Sequence, residues 1–183
     1  MDKILLHSCC GPCSCYPLDF LRQQGFKVTA FFYNPNIHPY QEYERRLLAF
    51  RSWSALEEVP TISFREEDYE LEKFLQAAVY REEMRCSSCY AMRLEEAARI
   101  AKKGKFPYYT TSLLVSPYQK HELIRQIGEN MGRKYGVKFY YADFRTGWKQ
   151  GVAKSLELNL YRQPYCGCIY SEKERYYRKK KGK

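Results

Sequence analysis

The feature that most constrains this chain is the placement of its eight cysteines in three tight groups far apart in sequence: Cys9, Cys10, Cys13 and Cys15; Cys86 and Cys89; Cys166 and Cys168. Secreted disulfide scaffolds are usually shorter and spread their cysteines along loops. Short spacings in a chain showing no secretory leader point instead to a metal. The apolar run Ile4-Leu5-Leu6 is too short for a leader, and no stretch reaches the roughly 18 apolar residues of a membrane helix. A cytoplasmic protein is expected. Buried structural thiols account poorly for Cys-Cys and Cys-x-Cys placed beside Gly and Pro.

The number of thiols narrows the metal. No ferredoxin-type C-x2-C-x2-C-x3-C-P run occurs. Cys10-x2-Cys13 with Cys86-x2-Cys89 would make a four-thiolate zinc site, but Cys9, Cys15, Cys166 and Cys168 would then have no role. Neighbouring side chains on an extended backbone point to opposite faces, so Cys9 and Cys10 suit two adjacent metals, or a cluster beside a separate ion. A [4Fe–4S] cluster takes four thiolates. The surplus suits one further mononuclear iron with Asp143 as an oxygen ligand; the alternative for Asp143 is a turn or helix cap. Two complete cubanes would use all eight cysteines, although Cys15 reads as expendable. The expected division places Cys10, Cys86, Cys89 and one of Cys166 and Cys168 on the cluster. Cys13 and Cys89 lie near expected helix starts, where the dipole favours thiolate. His7 reads as a satisfied near-core group, and His38 and His121 as structural or solvent-facing.

At 183 residues one domain with its own core is expected, ending in a basic tail over about 172–183. Strand-like runs at Lys3–His7, Val28–Tyr33, Thr61–Phe64, Tyr108–Thr111 and Val137–Tyr141 alternate with helical patterns. The helices are expected from Pro12 or Pro17 to Gln24, over Tyr40–Leu56, from an Asp68 cap to Val79, over Cys89–Lys103, from Ser116-Pro117 to about Tyr135, and over Trp148–Leu158. Alternation of this kind predicts an α/β fold with a mainly parallel sheet flanked by helices. Sites in such sheets lie at the carboxyl ends of strands, where the first cysteine group and Asp143 both fall.

The formal net charge is +10, and the last twelve residues hold seven Lys or Arg against two Glu. With eighteen Tyr and ten Phe, this composition suits nucleic acid, because cations neutralise phosphates and rings stack on unpaired bases. A solvated tail with tyrosines in the core would give the same composition.

Five segments taken together resemble one family. They are His7-Ser8-Cys9-Cys10-Gly11-Pro12-Cys13; Arg85-Cys86-Ser87-Ser88-Cys89-Tyr90 with Arg93-Leu94; Thr110-Thr111-Ser112-Leu113-Leu114 with Ser116-Pro117-Tyr118; Asp143-Phe144-Arg145; and Leu160-Tyr161-Arg162-Gln163-Pro164-Tyr165-Cys166-Gly167-Cys168. The resemblance is to the cobalamin-independent epoxyqueuosine reductases, QueH, and covers nearly the whole chain apart from Cys15 and the tail. It implies two-electron removal of the epoxide oxygen of epoxyqueuosine, at the wobble position of tRNA, as water. It also implies a [4Fe–4S] cluster with an adjacent iron, and a fold of the adenine-nucleotide hydrolase-like group that includes PP-loop ATPases. A PP-loop enzyme carries a Gly-rich phosphate cradle after its first strand. Here thiols and Pro12, which has no N–H, stand in that place, and a phosphate nest needs free backbone donors.

On that resemblance an open metal position polarises the epoxide oxygen, and Asp143 or Tyr118 supplies the proton. Arg93, Arg145, Arg162 and the tail are candidate phosphate contacts, and the electron donor is unidentified. Two rivals belong to other classes. A zinc-stabilised RNA-binding module would be colourless and hold stoichiometric zinc. An iron–sulfur electron carrier would cycle between redox states without turning over modified tRNA.

Overall fold

The computed structural model describes residues 1–63 and 69–177. Five strands form one parallel sheet in the order β3-β2-β1-β4-β5: β1 (Lys3–Ser8), β2 (Lys27–Phe32), β3 (Thr61–Ser63), β4 (Tyr108–Thr111) and β5 (Lys138–Phe139). The helices of eight or more residues are α1 (Gly11–Gln23), α2 (Tyr40–Leu56), α3 (Leu71–Ala78), α4 (Arg85–Lys103), α5 (His121–Tyr135), α6 (Trp148–Glu157) and α7 (Ile169–Tyr176). β1 sits at the centre with an apolar middle: Ile4, Leu5 and Leu6 are fully buried, as expected of a parallel strand covered on both faces. Each such side chain contributes roughly 1.5–3 kcal/mol by leaving water. β1 pairs with β2 from Lys3↔Lys27 to Ser8↔Phe32, and with β4 from Ile4↔Tyr108 to His7↔Thr111.

The chain crosses from one side of β1 to the other between β3 and β4, so the strand order reverses at the β1/β4 boundary. A crevice opens outside the carboxyl ends of strands at such a switch point. The loops leaving β1 and β4 therefore face each other. No helix among the described residues is long and apolar enough to cross a membrane.

Several elements differ from the sequence expectation. α4 begins at Arg85, so Cys86 and Cys89 both lie on its first turns and not at its edge. α5 begins at His121, because Ser112–Val115 forms a 3-10 turn and Ser116 to Gln119 closes a further turn. β5 covers two residues of the expected five. α7, which the sequence reading missed, extends the chain past Cys168. Phe64, the Asp68 cap and residues 178–183 of the basic tail lie outside the described residues.

Buried histidines give the fold a predictable response to acid. The His7 Nε2–H donates to the Tyr33 carbonyl at 3.0 Å, and Nδ1 accepts from the Thr111 hydroxyl at 2.9 Å. Burial, aided by the Arg93 charge, lowers its pKa to about 3. His38 is 4% exposed, neither ring nitrogen has a hydrogen-bond partner among the described residues, and burial lowers its pKa to about 4. Unfolded histidines titrate near 6.5, so below that pH the unfolded chain binds more protons. Stability is then complete above about 6.5 and falls as pH drops towards 4, by about 1.4 kcal/mol per pH unit for each histidine. Urea midpoints of metal-free protein are expected to be clearly lower at pH 5 than at pH 7.

Candidate metal centre

The first cysteine group sits where β1 ends and α1 begins. Cys10 is the N-cap of α1, its sulfur accepting from the Cys13 N–H at 3.4 Å, and Pro12 occupies a first-turn position where a missing N–H costs nothing. Gly11 permits the approach of α2, since a Cβ there would lie 2.5 Å from the Ala49 carbonyl oxygen. The Sγ atoms of Cys9, Cys10 and Cys13 all lie within 4.8 Å of one another, and those of Cys9 and Cys10 are 3.8 Å apart. This corrects the reading that adjacent cysteines face opposite ways. Alternation holds inside a pleat, and both residues lie beyond the end of β1, where the chain turns into a helix. Ser112, at the end of β4, accepts from the Cys9 N–H at 2.9 Å and donates to the Cys9 sulfur at 3.4 Å.

The second and third groups are joined to the first and to each other through intervening side chains. Arg93, one turn after Cys89, reaches the Cys89 sulfur at 3.6 Å and the Asn34 side-chain carbonyl at 2.8 Å. Asn34 in turn donates to the Ser8 carbonyl at 3.0 Å. Gln163 donates to the Cys13 sulfur at 3.2 Å. Gln119 accepts from the Tyr90 hydroxyl at 2.6 Å and donates to the Cys166 sulfur at 3.2 Å. Arg85 pairs with Glu174 and lies 5.4 Å from the Tyr170 ring, tying the start of α4 to α7.

The loop carrying Cys166 and Cys168 has no regular structure, and α2 holds it in place. Arg46, 1% exposed, donates to the carbonyls of Cys166 at 2.8 Å and Tyr165 at 2.9 Å. Its Nε meets Glu42 at 2.7 Å, and Glu42 also accepts from the Tyr161 hydroxyl at 2.5 Å. Gly167 has φ +148° and lies so close to Arg46 that a Cβ would be 3.2 Å from the guanidinium. The sequence reading missed Arg46, Glu42, Gln119 and Gln163. For the first two a signal existed: a charged i,i+4 pair set on the apolar stripe of Tyr43, Leu47 and Phe50.

Arg93, one of the candidate phosphate contacts, is 2% exposed and has no surface to offer a phosphate. It is instead a buried cation among thiols, stabilised by Cys89, Cys9 and Cys166, and its Nε has no hydrogen-bond partner among the described residues. Hydrogen bonds from Cys10 and Cys13, helped by Arg93 and Ser112, hold Cys9 well below the usual thiol range. Burial pushes Cys10 up, and pushes Cys89 up to about 12 against the pull of Arg93. Clustered soft sulfur donors with a compensating buried cation fit a thiolate-bound metal or cluster. Cys15 stands apart, its sulfur turned back to the Gly11 carbonyl at 3.6 Å.

Asp143 follows β5 and caps a 3-10 turn, accepting from the Arg145 N–H at 3.1 Å. Both its carboxylate oxygens also meet the Arg145 guanidinium, at 2.8 and 2.6 Å. These bonds from Arg145 lower its pKa to about 2. His121 lies 3.6 Å from the same carboxylate and donates to the Leu114 carbonyl. A cavity of 560 Å³ opens over the centre, lined by Cys9, Cys13 and Cys166 and, towards solvent, by Tyr118, Trp148, Arg162 and Arg175.

Comparison with known proteins agrees with this geometry. The model of the family "Epoxyqueuosine reductase QueH" matches residues 4–174. A relative of that name from Dehalococcoides mccartyi is 38% identical over 95% of this chain and 94% of its own length. One from Thermotoga maritima is 36% identical over 96% and 93%, and one from Staphylococcus epidermidis 35% over 92% and 76%. Among solved structures, a predicted subunit of tRNA methyltransferase from Methanocaldococcus jannaschii superposes with a TM-score of 0.56 at 11% identity, covering 86% of this chain and 75% of that one. That likeness shows the shared α/β fold alone. With the family model and near-complete coverage by its relatives in agreement, this chain belongs to the epoxyqueuosine reductase QueH family.

Proposed function

We propose that this chain removes the epoxide oxygen of epoxyqueuosine in tRNA, forming queuosine and water. Family membership across residues 4–174 carries the reading, and the buried thiol trio supports it. In the balanced step both carbon–oxygen bonds of the epoxide break, a carbon–carbon double bond forms, two electrons enter, and the oxygen leaves with two protons. When bound, a [4Fe–4S] cluster with an adjacent mononuclear iron supplies single electrons and Lewis-acid polarisation of that oxygen. Cys9, Cys10, Cys13, Cys86, Cys89, Cys166, Cys168 and Asp143 would hold these groups, and an unidentified donor supplies the electrons.

The chain's own residues shape what surrounds the reaction. Arg93 and Arg46 offset thiolate charge from buried positions. Asp143 is held ionised by Arg145, which suits it to bind a cation or to pass on a proton it has first received. Tyr118 brings a phenolic O–H to the cavity. Ligation by Asp143 requires the Arg145 side chain to swing away, because both oxygens are engaged.

The test is iron, sulfide and zinc analysis of anaerobically purified protein, coupled to an assay on epoxyqueuosine-bearing tRNA with a chemical reductant. Bound iron and sulfide with turnover are expected. Zinc alone, or iron without turnover, would sink the reading. Cys86→Ser is expected to lose cluster and activity together, whereas Cys15→Ser, whose hydroxyl can still reach Gly11, keeps both. Activity retained in the Cys86 variant would count decisively against the scheme.

A further inference from the structure

Two rings at the cavity mouth have no part in holding metal. Tyr118 leaves 86% of its surface exposed although it lines the cavity. The Trp148 ring stands 6.3 Å away at 86° to it and lines the same cavity. An edge-to-face partner steadies a ring without covering both its faces.

The backbone fixes this ring relative to the thiols. The Tyr118 N–H donates to the Ser116 hydroxyl at 3.3 Å, and the Gln119 N–H to the Ser116 carbonyl at 3.3 Å. The next side chain, Gln119, is itself bonded to the Cys166 sulfur. The exposed ring is thus one residue from a direct contact with the candidate metal centre. Arg162 and Arg175 line the same cavity, and both are exposed. An open aromatic face beside guanidinium groups is how proteins receive an unpaired base, the ring stacking and the cations neutralising the backbone.

We propose that the Tyr118 ring, braced edge-on by Trp148, is the stacking platform that receives the unpaired base carrying the epoxide and sets it over the thiol-lined cavity. This rests on the substrate reading above and adds the residues that take the base. The platform uses the ring and not the hydroxyl, so Phe can replace Tyr118 in binding whatever that change does to proton transfer.

The probes are two fluorescently labelled RNA hairpins, one with 7-deazaguanine at the wobble position of its loop and one abasic there, titrated by anisotropy into anaerobic holoprotein. Wild-type protein is expected to bind the base-bearing hairpin about tenfold more tightly than the abasic one. Tyr118→Ala is expected to remove that difference while leaving abasic binding unchanged, and Tyr118→Phe to keep it. Because Tyr118 is exposed, its truncation leaves the fold intact. Full discrimination in Tyr118→Ala, or an equal loss on both hairpins, overturns the platform. Binding needs no turnover, so an inactive protein that still discriminates would sink the reductase reading and leave the platform standing.

Discussion

Arg46→Leu is expected to cost this protein roughly 3–5 kcal/mol, because it leaves Glu42 buried without its cation. The pair is 1% and 5% exposed at 2.7 Å, so solvent does little to screen it. Two charge-assisted bonds to the Tyr165 and Cys166 carbonyls are lost as well. The effect should be visible in metal-free protein as a lower urea midpoint and as faster amide exchange across residues 160–168. Arg46→Lys keeps a charge opposite Glu42 but cannot span both carbonyls at once. It should recover much of the stability and little of the loop protection. Loss of less than about 1 kcal/mol in Arg46→Leu, with exchange unchanged, would show that something other than α2 holds the third cysteine group.

Arg93→Met is expected to weaken metal loading about 10–100-fold, the usual cost of removing a group that orients or charges the ligands. Its guanidinium contacts the Cys89 sulfur and helps hold Cys9 below the ordinary thiol range. Without that charge both thiols deprotonate at higher pH, and metal binding must expel the protons. The loading curve should therefore shift to higher pH in the variant, with Arg93→Lys between the two. Methionine fills the apolar part of the space, so the fold itself is expected to suffer less than the site. An unshifted loading curve would assign Arg93 to packing alone.

How much of this was legible in the sequence depends on the length scale of each signal. The central strand was readable because Ile4-Leu5-Leu6 is apolar on both faces, and the carboxyl-end rule then placed the first cysteines and Asp143 on one edge. The grouping of Cys9, Cys10 and Cys13 was readable as metal chemistry, but their mutual orientation was not: the turn between β1 and α1 sets it. The burial of Arg46 and Arg93 was harder to read for a different reason, although the i,i+4 pair with Glu42 was a signal for the first. A charged side chain is read as solvated by default, and only the fold shows that both are buried and tied to cysteine loops. Thiols can be counted in a sequence. Their separation depends on Gln119, Gln163 and Asn34, whose contacts span 26 to 150 positions along the chain.

The anchoring of the Cys166–Cys168 loop through its peptide carbonyls by the guanidinium of Arg46, in addition to the Gln119 contact to the Cys166 sulfur, bears on how such a protein survives oxygen. A centre stripped of its inorganic contents leaves behind a standing receptacle, its C-terminal wall still in place. With the iron–sulfur centre proposed above, restoring the enzyme would then call for iron and sulfide delivered to an intact polypeptide, with no new round of synthesis or folding.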